Sequence, residues 1–199
     1  MSRLYEQGMF FIGSSFRRTL TDKSQRFPWH QWVRLAYNDA LTYDPSTGKG
    51  GVKASWRFRE IGRAAHNRPL LGLAVELQNL KANEELPFDK LSMADYSVAA
   101  AFTTIQWADG PVMLDEFAYG RKDASSAEEC GSTSQVSSDA YVANLQAKGF
   151  SDEEIVALAS VEAFGITRDP EQARWSAFPK FDNYYYKQVL TNAQGVPLS

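Results

Sequence analysis

The chain has 199 residues, of which 44% are hydrophobic and 13% aromatic, and its formal net charge is -3. This composition is typical of a globular protein rather than a disordered one, and a slightly acidic chain is not expected to bind nucleic acid in general. Its single cysteine, Cys130, excludes an internal disulfide framework. Since no apolar run reaches the length of a membrane span, we predict no transmembrane segment.

The first 26 residues are rich in basic side chains, with five arginines or lysines against two acidic residues. This bias resembles a weak mitochondrial targeting segment, and a basic surface arm is the alternative interpretation. We predict an N-terminal arm over residues 1–26, followed by a single domain over residues 27–199.

Apolar spacing predicts helices through most of the remaining chain, and we find no internal repeat and no convincing strand pair. The stretch Leu91 to Trp107 is apolar nearly all round, so this helix should be central, with Ser92 as its N-cap. Residues 120–138 are rich in Gly, Ser, Asp and Glu and are predicted to form a long surface loop. The fold class is therefore all-α. Another helix is predicted to begin near Pro28. Further helices are predicted over about Leu70 to Lys81, Asp139 to Lys148 and Ser151 to Arg168, and a last short helix follows Tyr186 near the end of the chain.

The stretch Ser151 to Arg168 contains an unusual carboxylate. Ser151 and Glu154 predict a capping box at its start. Glu162 then falls on the same helical face as the apolar residues, where an unpaired charge is costly to bury. Either Glu162 pairs with a basic residue at the edge of a cleft, for which Arg34 and Arg168 are candidates, or it marks a functional or formerly functional site.

Five stretches, in this order along the chain, resemble the class I haem peroxidases and most closely the ascorbate peroxidases. The resemblance implies an all-helical peroxidase fold, with haem between a distal layer (about residues 27–119) and a proximal layer (about 139–199). The matching stretches are WVRLAYNDALTYD, LSMADYSVAAAFTTIQWADGP, Gly120-Arg121-Lys122-Asp123, GFSDEEIVAL, and the segment from Trp175 to Asn183.

Departures from the family pattern suggest that the catalytic apparatus has been lost. By this resemblance Arg34 stands at the distal arginine position, but Tyr37 replaces the distal Trp and Asn38 replaces the distal His. Asparagine does not titrate near neutral pH, and losing a general base typically costs about 10²–10⁴-fold in rate. Glu162 stands where the family has its haem-ligating His, and a carboxylate is not among the usual axial haem ligands.

Two further family positions are kept, and both also have a structural interpretation. Trp175, at the proximal Trp position, is expected to pack in the core, and Asp182 is expected to tie down the last helix. Neither His30 nor His66, which lies near the family's distal Asn, is expected to bind iron. The family continues for several more helices, so we expect a fold truncated at its C-terminus.

The sequence therefore predicts a catalytically inactive, ascorbate peroxidase-like protein that binds no cofactor. It would serve as a structural or accessory subunit that associates with other protein subunits, either a related peroxidase-like chain or the members of a larger assembly. A mitochondrial respiratory-type complex is the expected host, with plastid or cytosol as alternative locations. The alternative function is a protein that binds haem b, or a weak ascorbate or cytochrome-type peroxidase acting on hydrogen peroxide.

Overall fold

The computed structural model describes residues 31–83, 90–113, 117–131, 138–163 and 181–193. Within these ranges the protein is helical and forms no β-strand, apart from an isolated bridge between Asp44 and Lys49. None of the described helices has the length and apolar character needed to cross a membrane. The α-helices are α1 (Gln31–Leu41), α2 (Arg59–Gly62), α3 (Leu71–Ala82), α4 (Met93–Trp107), α5 (Ser138–Ala147), α6 (Asp152–Ala159) and α7 (Tyr184–Ala193); short 3₁₀ turns cover Ser55–Arg57, Arg68–Leu70, Ala127–Glu129 and Ser160–Ala163.

Helix α4 is the centre of the fold, as its composition predicts. Its N-cap is Ser92, whose hydroxyl accepts a hydrogen bond from the Asp95 backbone N–H at 2.9 Å. Eleven of its fifteen residues are buried, and α1 and α3 pack against it. Burying apolar area on nearly every side makes this helix the main source of hydrophobic stabilisation. The core around it includes Trp32, Leu35, Trp56, Leu73, Leu77, Tyr96 and Phe117.

The Gly120-Arg121-Lys122-Asp123 motif attaches the following segment to the start of α4. The Asp123 carboxylate accepts hydrogen bonds from the backbone N–H groups of Met93 at 3.0 Å and Ala94 at 2.8 Å. Asp95 in turn pairs with Arg121 at 2.9 Å. These bonds satisfy N–H groups that a helix start leaves without partners, so this family motif has a structural role here.

The segment after the motif is more firmly anchored than its polar composition predicts. Ala124 and Cys130 are buried against Ile61, and the Ala124 backbone N–H donates to the Lys53 carbonyl at 2.9 Å. The expectation of a surface loop over residues 120–138 is therefore wrong for these positions. Ala124 and Cys130 are small side chains at the two ends of a polar run, and they fit into a packed site. The polar composition of the run does not predict their burial. Residues 132–137 of the predicted loop lie outside the described residues.

Helix α6 begins as predicted but is shorter. The Ser151–Glu154 capping box is present, with hydrogen bonds of 3.3 and 2.8 Å. The α-helix ends at Ala159 and is followed by the 3₁₀ turn Ser160–Ala163. The prediction of one continuous α-helix to Arg168 is thus wrong over this turn, where the Ser160 hydroxyl bonds back to the Ala157 carbonyl at 2.7 Å. Serine side chains compete in this way with the helical backbone.

Candidate functional site

The three distal positions on α1 each contact a different part of the fold. Arg34 reaches the turn that follows α6, where its Nε donates a hydrogen bond to the backbone carbonyl of Val161 at 3.3 Å. Val161 directly precedes Glu162, the residue at the haem-ligand position. The distal helix and the proximal turn are therefore in direct contact at this point.

Apolar packing accompanies this hydrogen bond. Val33 and Ala36 of α1 and Ala101 of α4 form a small buried cluster, against which Ile105 and Val161 pack. The two helices thus share one apolar contact with the proximal turn. Such contacts exclude water and stabilise the closed arrangement in proportion to the apolar area that they bury.

Asn38, at the distal His position, is held by a second asparagine. Its side-chain Nδ2 donates to Asn67 Oδ1 at 3.0 Å and lies 3.4 Å from the His66 carbonyl oxygen. Asn67 is buried and donates in turn to the Ile61 carbonyl at 3.1 Å. The side chain that bonds to the distal helix here is therefore that of Asn67, which directly follows His66 in the chain.

His66 contributes its backbone to this arrangement, and its ring is partly buried. Burial lowers the pKa of the His66 imidazole below its ordinary value of 6.5, because a less solvated site disfavours the charged form. The neutral ring is thus favoured at neutral pH.

Tyr37, at the distal Trp position, contacts the helix before α6. Its hydroxyl shares a short hydrogen bond with the hydroxyl of Tyr141 on α5. At the other end of α5, Lys148 Nζ donates to the Leu41 carbonyl at the C-terminal end of α1. Partial burial lowers the pKa of Lys148 from its ordinary value. These two contacts hold α5 against α1 along its length.

A buried carboxylate shapes the segment beyond α1, although the sequence did not single it out. Asp39 accepts hydrogen bonds from the backbone N–H groups of Lys53 (3.0 Å), Ala54 (2.7 Å) and Ser55 (3.0 Å), and also from the Ser55 hydroxyl. Burial raises the pKa of Asp39, and these hydrogen bonds oppose that shift. Ala54 has a φ of +54°, which costs energy for a residue with a Cβ. Asp39 therefore holds a strained connection in place.

The proximal positions are described less completely. The backbone of Glu162 lies in the turn Ser160–Ala163, but its side chain lies outside the described residues, as do Trp175, Arg168 and His30. Asp182 is exposed and precedes α7, and its predicted role in tying down that helix stays a prediction. Among the residues that can be placed, no three His, Cys, Asp or Glu side chains form a group able to hold a metal ion.

The arrangement of these residues does not fit a haem at the position that the resemblance implies. Two groups that contact a flat macrocycle from opposite faces are separated by roughly 7 Å, twice an ordinary carbon–carbon contact. Arg34 Nε and the Val161 carbonyl oxygen are 3.3 Å apart. A haem would have to separate α1 from the proximal turn and disrupt the apolar cluster between them.

The family assignment agrees with the helical fold. The family model for peroxidase matches residues 13–197, so the chain belongs to the peroxidase family, within the class I haem peroxidase superfamily. The resemblance drawn from the sequence motifs and the all-α fold class are thereby confirmed.

Similar proteins include both plant and fungal peroxidases. The chain is 31% identical over 163 residues to "L-ascorbate peroxidase 5, peroxisomal" of Arabidopsis thaliana, and the aligned region covers 79% of this chain and 56% of the relative. It is 31% identical over 175 residues to "Probable L-ascorbate peroxidase 3, peroxisomal" of Oryza sativa, covering 82% and 57%. Identity to "Cytochrome c peroxidase, mitochondrial" of Pyricularia oryzae is 30% over 165 residues, covering 79% and 44%. The chain thus spans about half the length of the curated relatives that it matches.

Proposed function

We propose that this chain is a peroxidase-fold protein without haem-dependent catalysis, which serves as a structural or accessory subunit of a larger assembly. The observation that carries the proposal is the hydrogen bond from Arg34 to the Val161 carbonyl, with the apolar packing around it. In this arrangement the distal helix stabilises the fold directly, whereas an active peroxidase keeps its distal Arg available to the bound peroxide.

The residue types at the two key positions support the same proposal. Asn38 is held by Asn67 and has no titratable group, so it does not accept the proton of a peroxide. A glutamate at position 162 offers iron a hard carboxylate in place of an imidazole. Peroxidase catalysis needs both functions in one site, and the replacement of both removes general base and ligand together.

Exposed apolar side chains support a role in an assembly. Val156 on α6 and Leu190 on α7 are 56% and 61% exposed. The two helices are joined by Tyr186, whose hydroxyl donates to the Val156 carbonyl at 3.1 Å. Contiguous apolar surface is typical of a protein–protein contact, and a related peroxidase-like chain is the partner we propose.

The proposed location is the mitochondrion, in a respiratory-type complex. The basic residues near the N-terminus support this location, as does similarity to cytochrome c peroxidases whose names place them in mitochondria. Other relatives are named as peroxisomal. The location is therefore tested by separating the organelles of the source cells and measuring which fraction contains the chain. Enrichment of the chain with peroxisomes or plastids would contradict this part of the proposal.

A second candidate function is haem b binding, with or without weak peroxidase activity toward hydrogen peroxide. It is favoured by the retained Arg34 and by the Asn38–Asn67 hydrogen bond, which keeps a polar pair beside the distal helix. This function requires α1 and the turn Ser160–Ala163 to separate when haem enters.

Titration of the purified chain with hemin distinguishes the two functions. We expect no saturable Soret band and no peroxide-dependent oxidation of ascorbate or cytochrome c. A stoichiometric Soret band would support the second function and exclude the first. Asn38→His serves as a control, because restoring the distal base without opening the contact at Val161 should leave the spectrum unchanged.

A further inference from the structure

A concentrated group of arginines lies on the outer side of the segment that carries α2. Residues 56–68 contain four arginines and a single acidic residue, Glu60, in a chain whose net charge is -3. All four arginines are exposed, and we call three of them (Arg59, Arg63 and Arg68) the arginine surface. Such a local excess of positive charge in an acidic chain needs a physical explanation.

The fourth arginine, Arg57, is also exposed, but its side chain is bonded to the fold. Arg57 donates from Nε to the Ala54 carbonyl at 3.1 Å and from Nη2 to the Ala124 carbonyl at 3.0 Å, and it lies 3.9 Å from the Asp123 carboxylate. In contrast, the arginine surface forms no ion pair with any residue that the structure describes. Within the described part of the chain, these three charges therefore take no part in internal ion pairs.

The backbone holds the arginine surface together. The Arg63 N–H donates to the Arg59 carbonyl at 3.1 Å, and residues four apart on a helix share one side. The Arg68 N–H donates to the Ala64 carbonyl at 2.8 Å, which brings the third arginine into the next turn. Underneath, Ile61 is buried. The three side chains thus project from a rigid platform, which lowers the entropy lost on binding.

We propose that the arginine surface docks a carboxylate-rich segment of a protein partner. The inference rests on the proposed function, in that the chain acts by joining an assembly, and it names the surface and the chemistry of the contact. The planar guanidinium group pairs with a carboxylate through two parallel hydrogen bonds. Three guanidinium groups on one platform match several acidic side chains of one segment.

The surroundings favour an acidic protein over a nucleic acid or an anionic membrane. Glu60 is exposed beside the arginines, and a folded protein partner can place a basic side chain against it among its carboxylates, whereas a phosphate backbone carries only negative charge. The neighbouring aromatic Trp56 is buried and Phe58 is half-buried, so they offer no open ring for stacking on bases. The nearby Ile61 and Leu70 are also buried and give no apolar wedge for a lipid surface.

Binding of defined probes to the full chain tests this inference. The probes are an oligoglutamate peptide, a single-stranded oligonucleotide of equal charge, and vesicles containing phosphatidylserine. We expect oligoglutamate to bind most tightly, with an affinity that falls as salt is raised. The double variant R59E/R63E should weaken that binding by roughly tenfold or more, with an unchanged melting temperature because these side chains support no internal contact.

The matched control is the double variant K49E/K187E, which changes the net charge equally at exposed lysines elsewhere. It should leave oligoglutamate binding nearly unchanged. Equal loss in both variants, no binding to the unmodified chain at low salt, or tighter binding to the oligonucleotide or the vesicles would overturn the inference. If R59E/R63E does not fold, R59Q/R63Q is compared with K49Q/K187Q, which changes the net charge by the same amount. Failure of the proposed function is seen separately, as haem uptake in the hemin titration.

Discussion

Arg34 Nε lies 3.3 Å from the backbone carbonyl oxygen of Val161, and the two residues are 127 positions apart in the chain. This hydrogen bond joins the distal helix to the turn that carries Glu162, the residue at the haem-ligand position. The contact therefore gives a distal arginine a structural role, at the place where the family resemblance implies a cofactor. Several measurable consequences follow from this relationship and from the buried polar groups near it.

Replacing Arg34 should lower stability in this chain. Arg34→Ala removes a charged hydrogen bond to a backbone carbonyl, for which a loss of about 1.5–3 kcal/mol is typical in partly buried sites. Urea unfolding should show a lower midpoint with an unchanged slope. The control is Arg59→Ala, at an exposed arginine whose side chain bonds to no residue that the structure describes, and there the midpoint should not move. Equal midpoints for Arg34→Ala and the unmodified chain would contradict the structural role.

Restoring the family's ligand should not restore haem binding. In Glu162→His the imidazole is present, but Arg34 and Val161 still occupy the space between the two layers. We expect hemin titration of this variant to give at most a weak, non-saturating Soret band. A stoichiometric band with the spectrum of a His-ligated haem would show that the contact between Arg34 and Val161 opens readily, and this contact would then no longer support the proposed function.

The Asp39 carboxylate should be among the most sensitive positions outside the core. Asp39→Ala leaves three backbone N–H groups without their acceptor, and each unsatisfied group costs about 1–3 kcal/mol. Thermal unfolding should show a large decrease in melting temperature. Asp44→Ala is the matched control, because that carboxylate also accepts hydrogen bonds but lies in the exposed turn with Ser46 and Thr47; its effect should be small.

His66 should make the stability of the chain depend on pH. Burial lowers the pKa of its imidazole below 6.5 in the folded state, so the unfolded chain binds this proton more tightly. The free energy of unfolding should therefore decrease as the pH falls below 6.5, until the folded-state pKa is passed. The variant His66→Gln should lack this part of the pH dependence. The measurement compares the melting temperatures of the variant and the unmodified chain above and below pH 6.5. A variant with the same profile as the unmodified chain would assign the dependence to other groups.

Local features of the chain were predictable because their causes are local. The Ser92 and Ser151 caps lie within three residues of the groups that they satisfy, and the apolar stripe of α3 repeats at helical spacing. The end of α6 at Ala159 was missed, since hydrophobic spacing continues past it and the bond from the Ser160 hydroxyl to Ala157 is visible only in three dimensions. The sequence did not single out Asn67 as the partner of Asn38, because the two residues are 29 positions apart and meet only in the folded chain.

The helical fold class, the central helix and the peroxidase family could be predicted from the sequence, because periodicity, capping residues and ordered motifs are local properties of the chain. The sequence also predicts that Asn38 and Glu162 replace catalytic residues of the family. The contact of Arg34 with Val161 and the bonds by which Asp39 holds the backbone at Ala54 are seen only in the folded chain. These contacts join residues that are separated in the sequence, and one of them holds an unusual backbone conformation at Ala54. Whether they form depends on how closely the packed helices approach one another.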